Sequence, residues 1–510
     1  MSNFLYVLGR WSFLHPARVL GAWIAALVLV GMAALAVGQG TEDSFDIPGT
    51  ESQEAANGLE RTFPELAGAT AYVVLVAPDD TTVRTDRTQA LVADAIDDIE
   101  QVEGVTDVIS PYDDMNPIGV SADERAAQVQ VQFDRDLTEV TAADRDQLVA
   151  SGEALEQAGY QVAFGGDVFT STGPQLSIIE VVGVIVAFIV LYLMFRSLRA
   201  AVMPILTAVL GVLVTTGLTI VGTGFMTISS TAPLLALMIG LAVGIDYALF
   251  IVSRHRELLA DGVEPDEAAA RSVATAGSAV VFAGATVVIA LLGLAIARIP
   301  FLTIMGAVAA MSVVVAVAVA LTALPALLGR AGDRLAPDAD HPPGSFSRRW
   351  VAVTTRFPLI AIVIVVVGLA VATVPTKDLQ LALPDNGSAP ADSTQRQAFD
   401  LVDEYFGPGF NGPLLVSLDI ISTTDPVGVV DDIADDLRSM PGVEAIGLAT
   451  PNRTADTGIV QVIPTTGPAS EQTAELVRQI RDREAAWVDE FGVDASVTGL
   501  TAGGVDVSER

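Results

Sequence analysis

The sequence predicts an α-helical polytopic membrane protein that also carries two extracytoplasmic α+β domains. Three observations support this fold class: long apolar runs recur along the chain, two polar segments of domain size interrupt them, and the pattern repeats internally. The chain has 510 residues, 51% of them hydrophobic, and a formal net charge of −34. A soluble protein with that charge would not carry so many apolar residues, so the two properties belong to different parts of the chain.

Seven apolar runs are long enough to cross about 30 Å of hydrocarbon. These predicted spans one to seven lie at 18–37, 177–195, 200–222, 228–252, 276–297, 301–328 and 358–375. The first is too long for a cleaved signal peptide and lacks a small-residue cleavage site. Basic residues cluster at alternate ends of the runs, at Arg10, His15, Arg18, Arg196, Arg199, Arg254, Arg256, Arg330, Arg334, Arg348, Arg349 and Arg356. The positive-inside rule therefore predicts a multi-pass protein of the cell membrane with a cytoplasmic N-terminus.

Domain limits follow from these spans. Residues 1–37 hold the N-terminus and span one, 38–176 form the first extracytoplasmic domain, and 177–328 hold spans two to six. A cytoplasmic linker occupies 329–357, span seven occupies 358–375, and the second extracytoplasmic domain occupies 376–510. Each polar segment has the size of one small domain.

Both polar segments show the same order of secondary structure. In the first, strands at 71–77, 105–110, 127–133 and 160–164 alternate with helices at 87–102 and 141–158. In the second, strands at 413–419, 444–450, 458–464 and 495–499 alternate with helices at 426–439 and 470–490. This βαββαβ order predicts a ferredoxin-like sandwich in each segment.

The two halves of the chain repeat one pattern. Trp11 and His15-Pro16 precede span one, and an amphipathic stretch at 54–65 follows it; Trp350 and Phe357-Pro358 precede span seven, and a similar stretch at 397–409 follows it. In the first half five further spans come after the polar domain, whereas the sequence ends at Arg510. We expect a two-fold repeat whose second half is truncated, with a partner chain that supplies the missing spans as the alternative.

A carboxylate interrupts span four, in the stretch GLAVGIDYALFIVSRHRE from Gly240 to Glu257. Asp246 lies eight positions before Arg254, about 12 Å deeper along a helix. An ionised Asp near the bilayer centre costs at least about 2.5–3.5 kcal/mol, so such a residue faces a bundle interior or a wet pathway. Tyr247 adds a hydroxyl that can donate or accept a hydrogen bond. A purely structural hydrogen bond between helices is the alternative interpretation of Asp246.

Small and acidic residues near this stretch give further candidates. Gly240 and Gly244 are four positions apart, so they share a helix face and favour close packing beside the carboxylate. Asp246 is rotated by about 200° from Gly244 and faces a different neighbour. Glu180, at the outer start of span two, fits an interfacial position, and the outer mouth of a pathway is the alternative.

Other function classes find little support in the sequence. The chain has no cysteine and three histidines far apart, His15, His255 and His341, so we expect no metal site. We find no HExxH, GxSxG or phosphate-binding loop, and expect neither an enzyme nor a cofactor. The acidic composition also argues against nucleic-acid binding.

Several stretches resemble the MMPL (mycobacterial membrane protein large) family of the resistance–nodulation–division superfamily. They are GLAVGIDYALFIVSRHREL in span four, Glu180 in IIEVVGV, LMFRSLRAAVMPIL at 193–206, TAGSAVVFAG at 275–284, and Leu324-Pro325-Ala326. The resemblance implies a secondary transporter, driven by the proton gradient, that exports lipids or other hydrophobic molecules through two porter domains. Asp246 would then accept the proton and Tyr247 would act as its relay partner. Many members have serine where this chain has Ala283, so span five is expected to contribute packing alone.

The resemblance leaves alternatives open. A non-transporting receptor or assembly subunit of the same superfamily is one, and an exporter of small drugs is another. The implied partners are the lipid bilayer, protons, a lipid or hydrophobic substrate, and the missing C-terminal spans or a partner chain. Monomer and homo-oligomer both remain compatible with the sequence.

Overall fold

The computed structural model describes residues 2–38, 41, 49–63, 68–79, 81–113, 116–135, 137–169, 178–335, 354–378 and 385–509. The chain divides into two compact units, Met1–Phe45 with Ser171–Asp378, and Asp46–Thr170 with Leu379–Arg510. We call them the helical unit and the sheet unit. Most of the linker predicted at 329–357 lies outside the described residues.

The described residues include sixteen α-helices and eight strands. The helices are α1 (Ser2–Leu14), α2 (Pro16–Val37), α3 (Glu51–Thr62), α4 (Asp86–Ile99), α5 (Ala142–Ala150), α6 (Glu153–Gln157), α7 (Ile178–Phe195), α8 (Leu198–Thr223), α9 (Thr231–Ala260), α10 (Pro265–Leu292), α11 (Pro300–Ala331), α12 (Pro358–Ala372), α13 (Thr394–Tyr405), α14 (Pro426–Arg438), α15 (Glu471–Phe491) and α16 (Leu500–Ser508). The strands are β1 (Thr70–Val76), β2 (Val105–Ile109), β3 (Ala126–Phe133), β4 (Gln161–Gly165), β5 (Leu414–Asp419), β6 (Val443–Pro451), β7 (Thr457–Pro464) and β8 (Asp494–Thr498).

The helical unit contains the apolar helices. Within the described residues, six stretches are long and apolar enough to cross a membrane: Pro16–Val37, Leu198–Thr223, Thr231–Ala260, Pro265–Ala297, Pro300–Ala331 and Pro358–Thr376. The apolar part of α7, Val181–Phe195, is shorter. The chain is therefore a multi-pass membrane protein, while the second of the seven predicted spans stays a prediction.

Two helices extend well beyond the apolar runs that mark them in the sequence. Helix α9 continues to Ala260, past the predicted end of span four at 252, and α10 begins at Pro265 rather than at 276. Hydropathy marks only the part of a helix that suits lipid, whereas each added residue of a helix gains a backbone hydrogen bond. Proline at the first position also favours a helix start at 265, because its missing N–H has no intrahelical partner there.

The core of the helical unit lies among α8, α9, α10 and α11, in which α9 and α11 pack on each other and on both α8 and α10. Helix α2 packs on α8 and α11, and α1 packs on α10 and α11. Arg256 of α9 joins two other segments: its Nη1 donates to the Phe195 carbonyl oxygen at 2.8 Å and its Nε to that of Leu335 at 3.1 Å. Phe195 is the last residue of α7, so this cation also meets the negative end of a helix dipole.

The sheet unit contains two four-stranded antiparallel sheets. Their strand orders are β2-β3-β1-β4 and β6-β7-β5-β8, so each has the same arrangement of its four strands. Val73 pairs with Val129 in the first sheet, and Val416 pairs with Val460 in the second. One predicted helix, at 141–158, is divided into α5 and α6 around Gly152, where a side chain would meet the Phe164 ring within 2.7 Å.

The two halves of the sheet unit exchange a helix. Helix α3, which precedes the first sheet in sequence, packs on β5 and β8 of the second sheet. Helix α13, which precedes the second sheet, packs on β1 and β4 of the first. The amphipathic stretches that follow spans one and seven thus bury their apolar faces against the opposite half, a pairing that the sequence pattern does not reveal.

Candidate functional site

The Asp-Tyr pair lies near the middle of α9, on a helix of 30 residues. Alanine, leucine and isoleucine dominate this helix, and they are compatible with both helical propensity and a lipid environment. Helix α9 packs on α8, α10 and α11, which fixes the direction in which each of its side chains points. Its contacts divide the helix into a packed face and an exposed face.

The packed face contains both candidate glycines. A Cβ on Gly240 would clash with Ser312 Oγ of α11 and lie 3.2 Å from Val212 Cγ2 of α8, while one on Gly244 would lie 3.0 Å from Ala208 Cβ. Ser312 Oγ in turn donates a hydrogen bond of 2.7 Å to the Ala236 carbonyl oxygen of α9. The glycines therefore bring α9 close to two neighbouring helices, as small residues do at membrane helix interfaces.

Tyr247 is buried against α10. Its side chain is 6% exposed, and it belongs to the same apolar cluster as Val280 of α10 and Leu321 of α11. A Cβ on Gly284 of α10 would lie 3.9 Å from the Tyr247 hydroxyl oxygen and 2.6 Å from Val317 Cγ2. Gly284 thus allows the close approach of Val317 of α11, beside the Tyr247 ring.

The sequence motifs alone do not identify Gly284 as a residue of this site. A signal was present, because Gly277 and Gly284 are seven positions apart and lie on one face of α10. A Cβ on Gly277 would lie 2.9 Å from Leu321 of α11. By contrast, Phe282 is 71% exposed, and Ala283 packs at the border of the apolar cluster.

Asp246 lies on the exposed face of α9. Met238, Ala242 and Phe250, which precede and follow it at intervals of four residues, are exposed as well. Asp246 and Tyr247 are consecutive, yet one is exposed and the other is buried at the border between the two faces. An ionised carboxylate on a helix face against lipid is unfavourable.

The remaining candidates lie elsewhere. Glu180 is in the first turn of α7, and its side chain lies outside the described residues. His255 is within α9 rather than beyond a span, and it is fully buried, with its ring centroid 6.4 Å from that of Phe13. Nine positions along a helix correspond to about 180°, so His255 and Asp246 point in opposite directions.

Known membrane proteins and exporters are similar to this chain over 64% to 100% of its length. A model of the MMPL family matches residues 44–373. Membrane protein YdfJ of Bacillus subtilis is 34% identical over an alignment that covers 100% of this chain and 70% of the relative. The mycolic acid-containing lipids exporter MmpL11 of Mycolicibacterium smegmatis is 25% identical over 92% of this chain and 51% of the relative. The trehalose monomycolate exporter MmpL3 of the same species is 26% identical over 64% of this chain and 34% of the relative.

Proposed function

Because this chain belongs to the MMPL family, we propose that it is part of a transporter, driven by the proton gradient, that exports lipids or other hydrophobic molecules. The observation that carries the proposal is the carboxylate of Asp246, placed in the middle of an apolar helix and on its exposed face. Two relatives named as lipid exporters support the substrate class.

Asp246 is proposed to accept the proton, and Tyr247 to pass it on or to stabilise it. Protonation removes a charge from a region of low polarity, which changes the environment that this face of α9 favours. The neighbouring phenol can donate to the ionised carboxylate or accept from the protonated acid. Gly240 and Gly244 hold α9 against α8 and α11, so the change is transmitted through a closely packed group of helices.

The exposed face of α9 is proposed to be covered by other transmembrane polypeptide in the assembled transporter. Met238 and Phe250 are 54% and 57% exposed on either side of Asp246, so apolar contacts would surround the carboxylate there. The covering helices come either from a longer polypeptide or from a second chain. A homo-oligomer is one arrangement that provides them.

We also propose the finer architecture. The N-terminus is cytoplasmic, because the basic residues next to the spans then fall on one side of the membrane. Helix α7 completes a seventh span, with Glu180 towards the outer surface. The sheet orders β2-β3-β1-β4 and β6-β7-β5-β8, with their crossing helices, support ferredoxin-like porter domains on the outer side.

Replacement of Asp246 tests the proton step. We expect Asp246→Asn, expressed in the native membrane, to abolish proton-dependent export while leaving the amount of protein in the membrane unchanged. Asp261→Asn, at the exposed C-terminal end of the same helix, is the matched control and should export normally. Export of labelled lipid into an outer acceptor, measured with and without a protonophore, distinguishes the variants. Proton-dependent export by Asp246→Asn at the control rate would refute the assignment.

A second comparison tests the substrate class. The same cells are loaded with a small cationic dye and its efflux is measured alongside lipid export. Loss of lipid export alone in Asp246→Asn supports the proposal, whereas loss of dye efflux alone indicates a drug exporter. If neither process depends on the chain, the protein is a receptor or an assembly subunit.

A further inference from the structure

An apolar stripe runs along the exposed side of α1. Phe4, Val7, Trp11 and Leu14 are 69%, 59%, 45% and 55% exposed. They recur at intervals of three and four residues, so they lie one above another on a single face of the helix. We call these four residues the α1 stripe. An exposed apolar surface of this regularity marks an interaction site rather than scattered surface residues.

The opposite side of α1 is already occupied within the chain. Gly9 is buried so closely that a Cβ would lie 2.8 Å from Val273 Cβ of α10. Gly329 of α11 allows a similar approach, since a Cβ there would clash with the Phe13 carbonyl oxygen. Leu5, 3% exposed, belongs to the main apolar cluster of the helical unit. Helix α1 is therefore fixed on the bundle, with the stripe directed away from it.

A third side of α1 carries the polar groups. Arg10 Nη2 forms an ion pair of 3.1 Å with Asp266, and the Tyr6 hydroxyl donates to Glu267. Asp266 and Glu267 belong to the first turn of α10, before its apolar part, so they mark the watery side of the membrane boundary. The polar side of α1 thus faces water while the stripe is rotated by roughly a quarter turn from it.

We propose that the α1 stripe is inserted into the leaflet next to the N-terminus, at the boundary between lipid headgroups and acyl chains. Continuity with the lipid-facing surface of α2 supports lipid as the occupant. Helix α2 begins at Pro16, two residues after α1 ends, and its Ile24, Val28 and Leu35 are exposed as well. An amphipathic helix that joins a span in this way lies in the plane of the interface.

Two further features fit a lipid surface. Trp11 stacks on His15 with ring centroids 5.3 Å apart, next to the start of the span, and tryptophan is enriched at membrane interfaces. The guanidinium of Arg18 is exposed in the first turn of α2, where it can meet anionic headgroups. A second copy of the chain, packed stripe against stripe, is the competing occupant.

The absence of cysteine allows a direct test, because a single introduced cysteine is the sole site for a thiol-reactive spin label. We would label Val7→Cys and Leu14→Cys in the full chain, reconstituted in phosphatidylcholine–phosphatidylglycerol vesicles. Accessibility to oxygen, which concentrates in lipid, is compared with accessibility to a water-soluble nickel chelate. Ile364→Cys on the apolar α12 is the lipid-exposed control, and Asp261→Cys is the water-exposed control.

We expect both stripe positions to give oxygen-to-nickel ratios several-fold above that of Asp261→Cys and close to that of Ile364→Cys. Ratios equal to the Asp261→Cys value would overturn the proposal. Dipolar broadening between labels at Val7→Cys, which disappears on dilution with unlabelled protein, would show a second copy on the stripe and would also overturn it. Asn3→Cys, on the polar side of α1, is labelled in the same way as a control. Its normal reconstitution would show that a label on α1 does not by itself disrupt the protein.

Discussion

The two exchanged helices of the sheet unit occupy equivalent places in the repeat, but different chemistry holds them. Helix α13 meets the first sheet through apolar side chains: Ala398, Leu401 and Val402 pack with Val74, Val76 and Ala163. Helix α3 has a smaller apolar contact, of Leu59 and Phe63 with Ile459, and a network of charges at its N-terminal end. The repeat preserves the position of the helix and not the means of attachment.

The charged network on α3 centres on Arg481 of α15. Its Nε lies 3.0 Å from Glu51 Oε2, and its Nη1 lies 2.8 Å from Asp506 Oδ1. Asp506 also accepts from the Ser52 backbone N–H at 3.1 Å, and Glu51 accepts from the Val497 N–H at 3.0 Å. Since the Asp506 side chain is only 8% exposed, its charge depends on these donors.

The largest effect is expected from the apolar attachment. Leu401→Ala removes a buried side chain that is 5% exposed, which should destabilise the packing of α13 on the first sheet by about 2–5 kcal/mol. Hydrogen exchange of the full chain, followed peptide by peptide, should become at least about tenfold faster in β4. The second sheet should keep its protection. Glu404→Ala, exposed on the same helix, is the control; equal effects of both variants would contradict the apolar attachment.

A smaller effect is expected from the charged attachment. Arg481→Met keeps much of the apolar stem but leaves Asp506 without its cation, at a cost of about 1.5–3 kcal/mol. Faster exchange should appear in α3 and in β8, with β1 and β4 unchanged. Arg478→Gln is the matched control, because its partners Glu475 and Glu509 are 57% and 54% exposed. Such surface pairs contribute about 0–1 kcal/mol, so this variant should behave almost like the original chain.

The strands of the sheet unit can be predicted from the sequence, but the exchange of its two helices cannot. Local periodicity identifies the strands of both sheets, because side-chain alternation and burial are properties of a few adjacent residues. The exchange of α3 and α13 depends on which distant surface each apolar face meets, and no local pattern carries that information. The family of the chain follows from the motifs around Asp246, and the match over 44–373 confirms it.

In the candidate site, too, the sequence predicts local helix geometry but not the contacts between distant residues. The spacing of Gly244 and Asp246 predicts two faces of α9, because 100° per residue is a property of every α-helix. The contact of Tyr247 with α10 depends on the packing of three helices. Gly284 belongs to the site because it lies next to Val317 and Tyr247, and both contacts appear only in the folded structure. The buried His255 likewise lies beside Phe13 of α1, which is distant in sequence.

The smallest effect is a difference in pH dependence between the two attachments. Burial by itself raises the pKa of Asp506, but hydrogen bonds from Arg481 and Ser52 outweigh it, so that the pKa lies below its ordinary value. Stability from this group is therefore present above the ordinary pKa of an aspartate and is lost as the pH falls through the lowered pKa. Acidification should therefore weaken the packing of α3 on the second sheet.

The pKa of Asp385, which precedes α13, is shifted in the opposite direction. Burial raises its pKa in spite of hydrogen bonds from the backbone of Ser388 and Gly387 and of the nearby charge of Arg396. The folded state then binds the proton more tightly than the unfolded state, so its contribution declines as the pH rises from the ordinary pKa to the raised one. Acidification should therefore stabilise the segment around Asp385.

Pulse-labelled hydrogen exchange in the full chain, after equilibration at pH values from about 3 to about 6, measures both regions in one sample. On acidification, protection should decrease in α3 and increase around Asp385. Asp385→Asn should remove the second trend and leave the first, because the amide does not titrate. Parallel changes in both regions would indicate a general response of the sheet unit to acid, and would show that the attachments do not differ in their electrostatics.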